Sequence, residues 1–294
     1  MDITVIGLGL MGGTFVGHLL DQGHTVTGYD PDPDRLVEHS AQGGIGADSP
    51  GAAASRGDLV LLSLPNSSIM LDVVAEIARE GRAGSLVLDT TTGEPDRATQ
   101  AAELLAGGGI EFIDCTVSGN AAQTAEKDII FMIGGTDDQV ARARSILEPM
   151  SRRVHHVGPV GAGATAKIVV NHILSINRVA VAEGLTVAEK AGLELGPMLE
   201  VLRDSAAYSK AMDIWGDRMV AGDHYPPASR VRQSHKDSRL INSFAEDLGV
   251  AHELTEVVRR FLIEAEESGL SDADNSSVME VMRRRAGIGR LPRH

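Results

Sequence analysis

The stretch GAGATAKIVVNHILSINRVAVAEGLTVAEKA, residues 161–191, decides how the rest of the chain is read. It contains no proline, and within it Gly184 is only a mild interruption after the opening Gly161 and Gly163, so it predicts one long helix. Ile168, Val169, Ile173, Leu174, Ile176, Val179, Val181, Leu185 and Val187 wrap around most of the cylinder. That distribution implies burial between two bodies of protein rather than a one-sided surface helix. Lys167 and Asn171 stand one helical step of four residues apart, which aims an amine and an amide at one patch. Strand and helix signals alternate before this stretch; after it nearly every signal is helical.

Working outward toward the N-terminus, the strand-like ITVI of residues 3–6 runs into Gly7-Leu8-Gly9-Leu10-Met11-Gly12 and then a helical pattern. Strand, glycine turn and helix in that order form a dinucleotide-binding fingerprint: the first glycine allows the turn, the second admits a pyrophosphate, the third lets helix and strand close up. A second strand, TVTGYD, ends in Asp30, whose carboxylate can accept both ribose hydroxyls and would repel an extra phosphate, favouring NAD over NADP. Asp30 can also simply start the turn DPDPD, and Arg35 lies close enough in sequence to reach a phosphate. Apolar strands at 58–65 and 85–89 end in Leu64-Pro65-Asn66-Ser67 and Thr90-Thr91-Thr92, polar clusters at the sheet edge where ligands of such folds bind, or helix caps, or both. A strand at 110–113 leads to DCTVSGN, residues 114–120, and another follows at 129–134. Ser118 and Gly119 sit where a loop leaves the sheet and can present a hydroxyl and N–H groups to a carboxylate; alone, the tripeptide is an ordinary turn. Cys115 reads as packed beside the strand, with no general base near it in sequence.

The expected fold is an α/β Rossmann-type N-terminal domain, residues 1–160, joined by the long helix to an all-α C-terminal domain, residues 161–294. In the second half, helical patterns cover 197–203, 233–247 and 252–267, and His235-Lys236-Asp237 opens the second of these. Lys236 can bind an anion or pair with a nearby acid; Trp215 reads as a core or interface anchor. Met282-Arg283-Arg284-Arg285 with Arg290 and Arg293 reads as a solvated end or a subunit contact. The 294 residues, 43% hydrophobic, support a sizeable core, and a formal charge of −14 argues against nucleic acid and anionic membrane as partners. No apolar run reads as long enough to span a bilayer, no secretory leader is legible, and one cysteine forms no internal disulfide, so a cytoplasmic location is expected. Adjacent His155 and His156 would face opposite ways in a strand, and no metal-ligand spacing is found. Apolar surface left on the long helix predicts a homodimer or homotetramer.

Taken together, GLGLMG at 7–12, LPNS at 64–67, Asp89 with its threonines, DCTVSGN at 114–120, GAGATAKIVVN at 161–171 and HKD at 235–237 resemble the β-hydroxyacid dehydrogenase family over nearly the whole chain. That family includes 3-hydroxyisobutyrate dehydrogenase and tartronate semialdehyde reductase. The resemblance implies NAD(P)-dependent hydride transfer on a small hydroxy acid or semialdehyde. It implies Lys167 as the catalytic lysine, Asn171 as a substrate-placing amide, and Ser118, Gly119 and the adjoining Asn120 at the substrate carboxylate. Lys236 would line the cofactor and substrate cleft, and Leu64, Pro65, Asn66 and Thr92 would contact NAD beside the glycine turn. Two positions depart from the family pattern, Asn120 in place of a second glycine and His172 in place of asparagine or glutamine. An imine reductase shares the architecture but typically replaces the lysine, and a non-catalytic cofactor-binding adaptor would also be expected to lack it.

Overall fold

The computed structural model describes residues 1–289. Its N-terminal unit starts with β1 (Asp2–Ile6), α1 (Leu10–Asp21), β2 (Thr25–Tyr29), α2 (Pro33–Ala41) and β3 (Ile45–Gly46). It continues through α3 (Pro50–Ala54), β4 (Leu59–Leu62), α4 (Ser67–Glu80), β5 (Leu86–Asp89) and α5 (Pro95–Ala106). The last elements before the long helix are β6 (Glu111–Ser118), α6 (Ala121–Ala125), β7 (Ile130–Gly134), α7 (Asp137–Leu147) and β8 (Arg153–Gly158). The sheet order is β3-β2-β1-β4-β5-β6-β7-β8. Its first six strands therefore follow the 3-2-1-4-5-6 order of dinucleotide folds, and the crevice between β1 and β4 is the topological switch point.

Residue parity explains the two faces. Ile3, Val5, Leu59, Leu61, Leu86 and Leu88 point to one side and pack with Phe15 and Leu19 of α1 and Val140 and Ile146 of α7. Ile6, Val60, Leu62 and Val87 point to the other, against Met70, Val74 and Ile77 of α4 and Leu105 of α5. Burial on both faces is why these strands read as unbroken apolar runs. Burying each such side chain is worth about 1.5–3 kcal/mol.

Two expectations change in this unit. β6 is longer than the run at 110–113, because Cys115, Thr116, Val117 and Ser118 stay in the sheet through antiparallel pairing with Ile133, Met132, Phe131 and Ile130 of β7. β3, only two residues long, carried no legible signal; its pairing to Thr27 and Gly28 of β2 defines it.

The long helix is α8 (Ala162–Lys190), followed by α9 (Leu195–Asp204), α10 (Asp217–Ala221), α11 (Val231–Asp247), α12 (Glu253–Glu267) and α13 (Val278–Arg285). Chain compactness divides after Lys167, two turns into α8, since the start of that helix is tied to the sheet. The second unit has its own core, built from Val181, Leu185, Leu199, Trp215, Met219, Val258 and Leu262 among others. Among the described residues, α8 is the one helix long and apolar enough to cross a membrane by length and composition, at a mean hydropathy of 1.2. The expectation that no apolar run reaches that length is corrected accordingly. Its apolar residues serve packing here: Val179, Val181 and Leu185 lie in the second core.

In the basic tail Arg284 and Arg285 are exposed, in keeping with a solvated end or subunit contact, and Arg283 is corrected. Arg283 is 1% exposed and pairs with Glu189 and Glu280, each at 2.7 Å, so it is an internal strut rather than a solvated end. Arg290 and Arg293 lie outside the described residues.

Candidate active site

The glycine turn is built for close approach. Gly7 has φ of +91° and donates its N–H to the Tyr29 carbonyl at 2.9 Å, locking the end of β1 to the end of β2. A Cβ on Gly7 would run into the Ser63 carbonyl oxygen, and one on Gly12 into the carbonyl oxygen of Gly7. A Cβ on Gly9 would meet nothing within 4 Å. The outer glycines thus close the turn while the middle one, the N-cap of α1, leaves open space in front of a helix N-terminus. Leu8 is buried, Met11 half-buried and Leu10 exposed.

Asp30 stands at this mouth, its Oδ2 accepting the Leu8 N–H at 2.7 Å and its Oδ1 the Asp32 N–H at 2.9 Å. Each carboxylate oxygen keeps a further lone pair, so ribose hydroxyls can still be accepted. Arg35, a candidate for a phosphate, is instead paired with Glu38 at 2.7 Å. Asn66 caps α4, accepting the Ile69 N–H at 3.0 Å, so its oxygen is structural and its amide nitrogen is what it can offer a ligand. Leu64, Pro65 and Asn66 follow β4 at the switch point, and half-buried Thr92 follows β5. An open middle glycine, a helix N-terminus and a carboxylate at the end of β2 fit a dinucleotide.

The loop after β6 lies against this region. His18 of α1 bonds the Thr124 carbonyl of α6 at 2.8 Å, and the Thr124 hydroxyl meets the Met11 sulfur at 3.4 Å. Ser118 ends β6, Gly119 follows with φ of +147°, and Asn120 caps α6. Asn120 Oδ1 accepts the Gln123 N–H at 2.9 Å while Gln123 Oε1 accepts the Asn120 N–H at 3.1 Å, a capping box. The Asn120 side-chain oxygen and backbone N–H are therefore engaged in its own helix cap, and its side-chain amide nitrogen is what it can offer a ligand.

Alternate residues of β6 reach the start of α8. Asp114 accepts the Gly161 N–H at 2.8 Å and the Ala164 N–H at 2.6 Å, and the Thr116 hydroxyl donates to the Gly163 carbonyl at 2.7 Å. A Cβ on Gly163 would press on the Met132 and Asp114 carbonyl oxygens at 2.6 and 2.8 Å, so only glycine lets the helix seat this closely. Asp114, Thr116 and Ser118 share one face of the strand. One face of one strand thus fixes the helix that carries Lys167 and, at its end, presents Ser118. Burial pushes the Asp114 carboxyl above the usual carboxylate range, opposed by the Ala164 and Gly161 N–H groups. On the neighbouring strand, burial raises Asp89 to about 7. On the opposite face Cys115 is fully buried, and burial pushes its thiol well up, which makes it inert packing.

Farther along α8, in the helical unit, the Asn171 amide donates to Asp237 of α11 across a long 3.5 Å, and Lys236 Nζ lies 3.8 Å from the other oxygen of the same carboxylate. Asp237 thereby gathers two expected site residues, Asn171 and Lys236. His172 Nδ1 bonds the hydroxyl of buried Thr255 on α12 at 2.8 Å, and His235 Nδ1 bonds Glu266 of α12 at 2.7 Å. These two histidines tie α8 and α11 to α12. Sequence reasoning passed over Asp114, Thr116 and Asp237 as positioning residues. Asp237 had a signal in its adjacency to Lys236; the helix-capping role of Asp114 had none, because its partners lie 47 and 50 residues away.

Residues 2–158 match the family model described as the NAD binding domain of 6-phosphogluconate dehydrogenase. Residues 161–282 match the one described as the NAD-binding domain of NADP-dependent 3-hydroxyisobutyrate dehydrogenase. The 3-hydroxyisobutyrate dehydrogenase of Pseudomonas aeruginosa is 31% identical over 96% of this chain and 98% of its own length. The chain belongs to the β-hydroxyacid dehydrogenase family. This β-hydroxyacid dehydrogenase is also similar to 2-(hydroxymethyl)glutarate dehydrogenase of Eubacterium barkeri, 26% identical over 98% of this chain and 97% of the relative. A solved structure of Mycobacterium tuberculosis 3-hydroxyisobutyrate dehydrogenase with L-serine superposes with a TM-score of 0.89 at 26% identity, covering 96% of this chain and 99% of that one. The chain is thus an NAD(P)-binding oxidoreductase of the class that acts on CH–OH groups.

Proposed function

We propose that this β-hydroxyacid dehydrogenase interconverts a small β-hydroxy acid and its semialdehyde, with Lys167 as the general acid/base. What carries the reading is the seating of α8: Asp114 and Thr116 fix its first turn to the strand ending at Ser118, and Lys167 and Asn171 follow on successive turns. When bound, the nicotinamide supplies or accepts the hydride. Lys167 takes the hydroxyl proton in oxidation and returns one to the carbonyl oxygen in reduction. Asn171, held by Asp237, orients that oxygen. Ser118 and the Gly119 backbone receive the substrate carboxylate, and Lys236 adds positive charge. The Asp30 carboxylate at the end of β2, together with Arg35 committed to Glu38, supports NAD over NADP.

The same reading makes the protein a homodimer or a dimer of dimers. Val169, Ile173 and Val187, at 50%, 54% and 64% exposure, form with exposed Ala180 and Gly184 an apolar stripe along α8 that the single chain leaves uncovered.

The test is NADH absorbance with a panel of hydroxy acids and semialdehydes, NADP run in parallel. Lys167→Ala is expected to lose about 10²–10⁴-fold in turnover with cofactor affinity retained. Near-normal turnover by that variant would remove Lys167 from the chemistry, and cofactor binding without turnover on any panel member would remove the dehydrogenase reading.

A further inference from the structure

Arg178 of α8 is 3% exposed, yet its guanidinium has one hydrogen bond among the described residues, from Nη1 to the Ser234 hydroxyl of α11 at 3.2 Å. Its plane lies over Trp215, 5.0 Å from the ring centroid. Nε and Nη2 are buried with no hydrogen-bond partner among the described residues. These two N–H groups share the edge of the guanidinium that grips a carboxylate with two parallel hydrogen bonds.

The other deeply buried arginine, Arg283, 1% exposed, is neutralised by Glu189 and Glu280 at 2.7 Å each, with its Nη2 also lacking a hydrogen-bond partner among the described residues. Among the described residues Arg178 has no such ion pair. Asp274 and Asp237 are near enough to favour its charged form, while burial brings the guanidinium down to about 10, still a cation at neutral pH. Both acids have other duties. Asp274 accepts the Ala228 N–H and the Ser276 N–H, each at 2.9 Å, and Asp237 is engaged with Asn171 and Lys236. A buried cation whose carboxylate-binding edge is empty is costly to keep unless something anionic completes it.

Its place on the helix says what that anion is attached to. Arg178 is seven residues beyond Asn171, on the same face of α8. On α11 the partners run the other way: Asp237 meets Asn171, and Ser234, one turn earlier, meets Arg178. Along α8 the two residues therefore stand about two helical turns, ~10 Å, apart, while their partners on α11 stand one turn apart. We propose that Arg178 binds a second acidic group of the substrate, so that the enzyme selects a hydroxy acid bearing a distal carboxylate over one with an uncharged tail. A separation of that size, less a hydrogen bond of about 3 Å at each end, corresponds to roughly two or three carbons between the carbinol carbon and the distal carboxylate. The inference rests on Lys167 and Asn171 marking the reacting carbon.

Two measurements test it, one of them independent of turnover. In the first, kcat/KM is compared for a hydroxy dicarboxylate and for the matching hydroxy monocarboxylate with a methyl terminus. The unaltered enzyme is expected to favour the diacid by about 10²-fold, the scale of a charge-assisted bidentate contact, and Arg178→Met to bring that ratio to within about threefold of unity, chiefly through KM. Equal use of both substrates by the unaltered enzyme, or an unchanged ratio in Arg178→Met, overturns the proposal. In the second, glutarate and butyrate are compared on the unaltered enzyme by thermal shift, so that no variant has to fold. Stabilisation by glutarate at concentrations where butyrate has no effect supports the site. Equal effects, or a crystal structure with glutarate in which only water meets Nε and Nη2, overturn it. If no hydroxy acid is turned over but glutarate still binds selectively, the activity reading fails and the anion site stands.

Discussion

Replacing Asp114 separates the geometry of the site from its chemistry, because this carboxylate touches no reacting group and yet fixes the helix that carries one. In Asp114→Ala the Gly161 and Ala164 N–H groups lose acceptors at 2.8 and 2.6 Å inside the protein. Each buried donor left unmet costs roughly 1–3 kcal/mol. Relief of the carboxylate's own desolvation, which is what pushes its pKa up, returns part of this, for a net loss of about 2–4 kcal/mol. Asp114→Asn is the sharper variant. Its carbonyl keeps one N–H while its amide nitrogen confronts the other donor, which costs about 1.5–3 kcal/mol and pushes one side of the α8 N-terminus outward. Lys167 lies on the next turn, and a displacement near 1 Å at a reacting group costs on the order of 10²-fold in rate. The assay pairs urea unfolding with NADH-monitored kcat and a fluorescence titration of cofactor. Asp114→Asn is expected to lose about 10²-fold in kcat with cofactor affinity within about threefold of the parent. Parental kcat in a variant that is clearly destabilised would show that the cap holds the helix without placing the lysine. Parental stability would show that the two N–H groups find other acceptors.

Asp89 supplies a pH signature. Its folded pKa, about 7, lies above the ordinary 3.8 because it is buried, so the folded state holds the proton more tightly than the unfolded chain. Its contribution to stability is full below about pH 4, declines as pH rises to about 7, and is level above that; the total is ~4 kcal/mol. Asp89→Asn, which can still accept the Thr91 N–H now bonded at 3.0 Å, is expected to flatten that decline, read as urea midpoints at pH 5 and pH 8. The same decline in parent and variant would assign it to other groups. For the apolar stripe of α8, Ile173→Glu and Val187→Glu are each expected to shift sedimentation at micromolar concentration toward monomer, since a carboxylate in a dry interface costs several kcal/mol. A parent that is already monomeric, or variants that associate like the parent, would place the contact elsewhere.

The N-terminal fold was legible because its signals are local. The β1 strand, the glycine turn, α1 and Asp30 lie within thirty residues of one another, and each glycine has a steric task that follows from the turn itself. The long helix was legible for the same reason, since periodicity and the absence of proline need no knowledge of partners. What misread was non-local. β6 extends through Ser118 because β7 pairs with it, and Arg283, one of three consecutive arginines, is internal because Glu189, on another helix, meets it.

Sequence alone determined the architecture, the nucleotide fingerprint, and the pairing of Lys167 with Asn171 on one helical face, because each depends on spacing along the chain. Tertiary structure alone decided what holds those groups and what they lack. It gave Asp114 to the first turn of α8, spent the Asn120 side-chain oxygen on a capping box, put Asp237 between Asn171 and Lys236, and left one edge of the Arg178 guanidinium without an acceptor among the described residues. Hydrogen-bond satisfaction in a protein interior is a property of three-dimensional neighbours, and those neighbours are set by packing rather than by order in the chain.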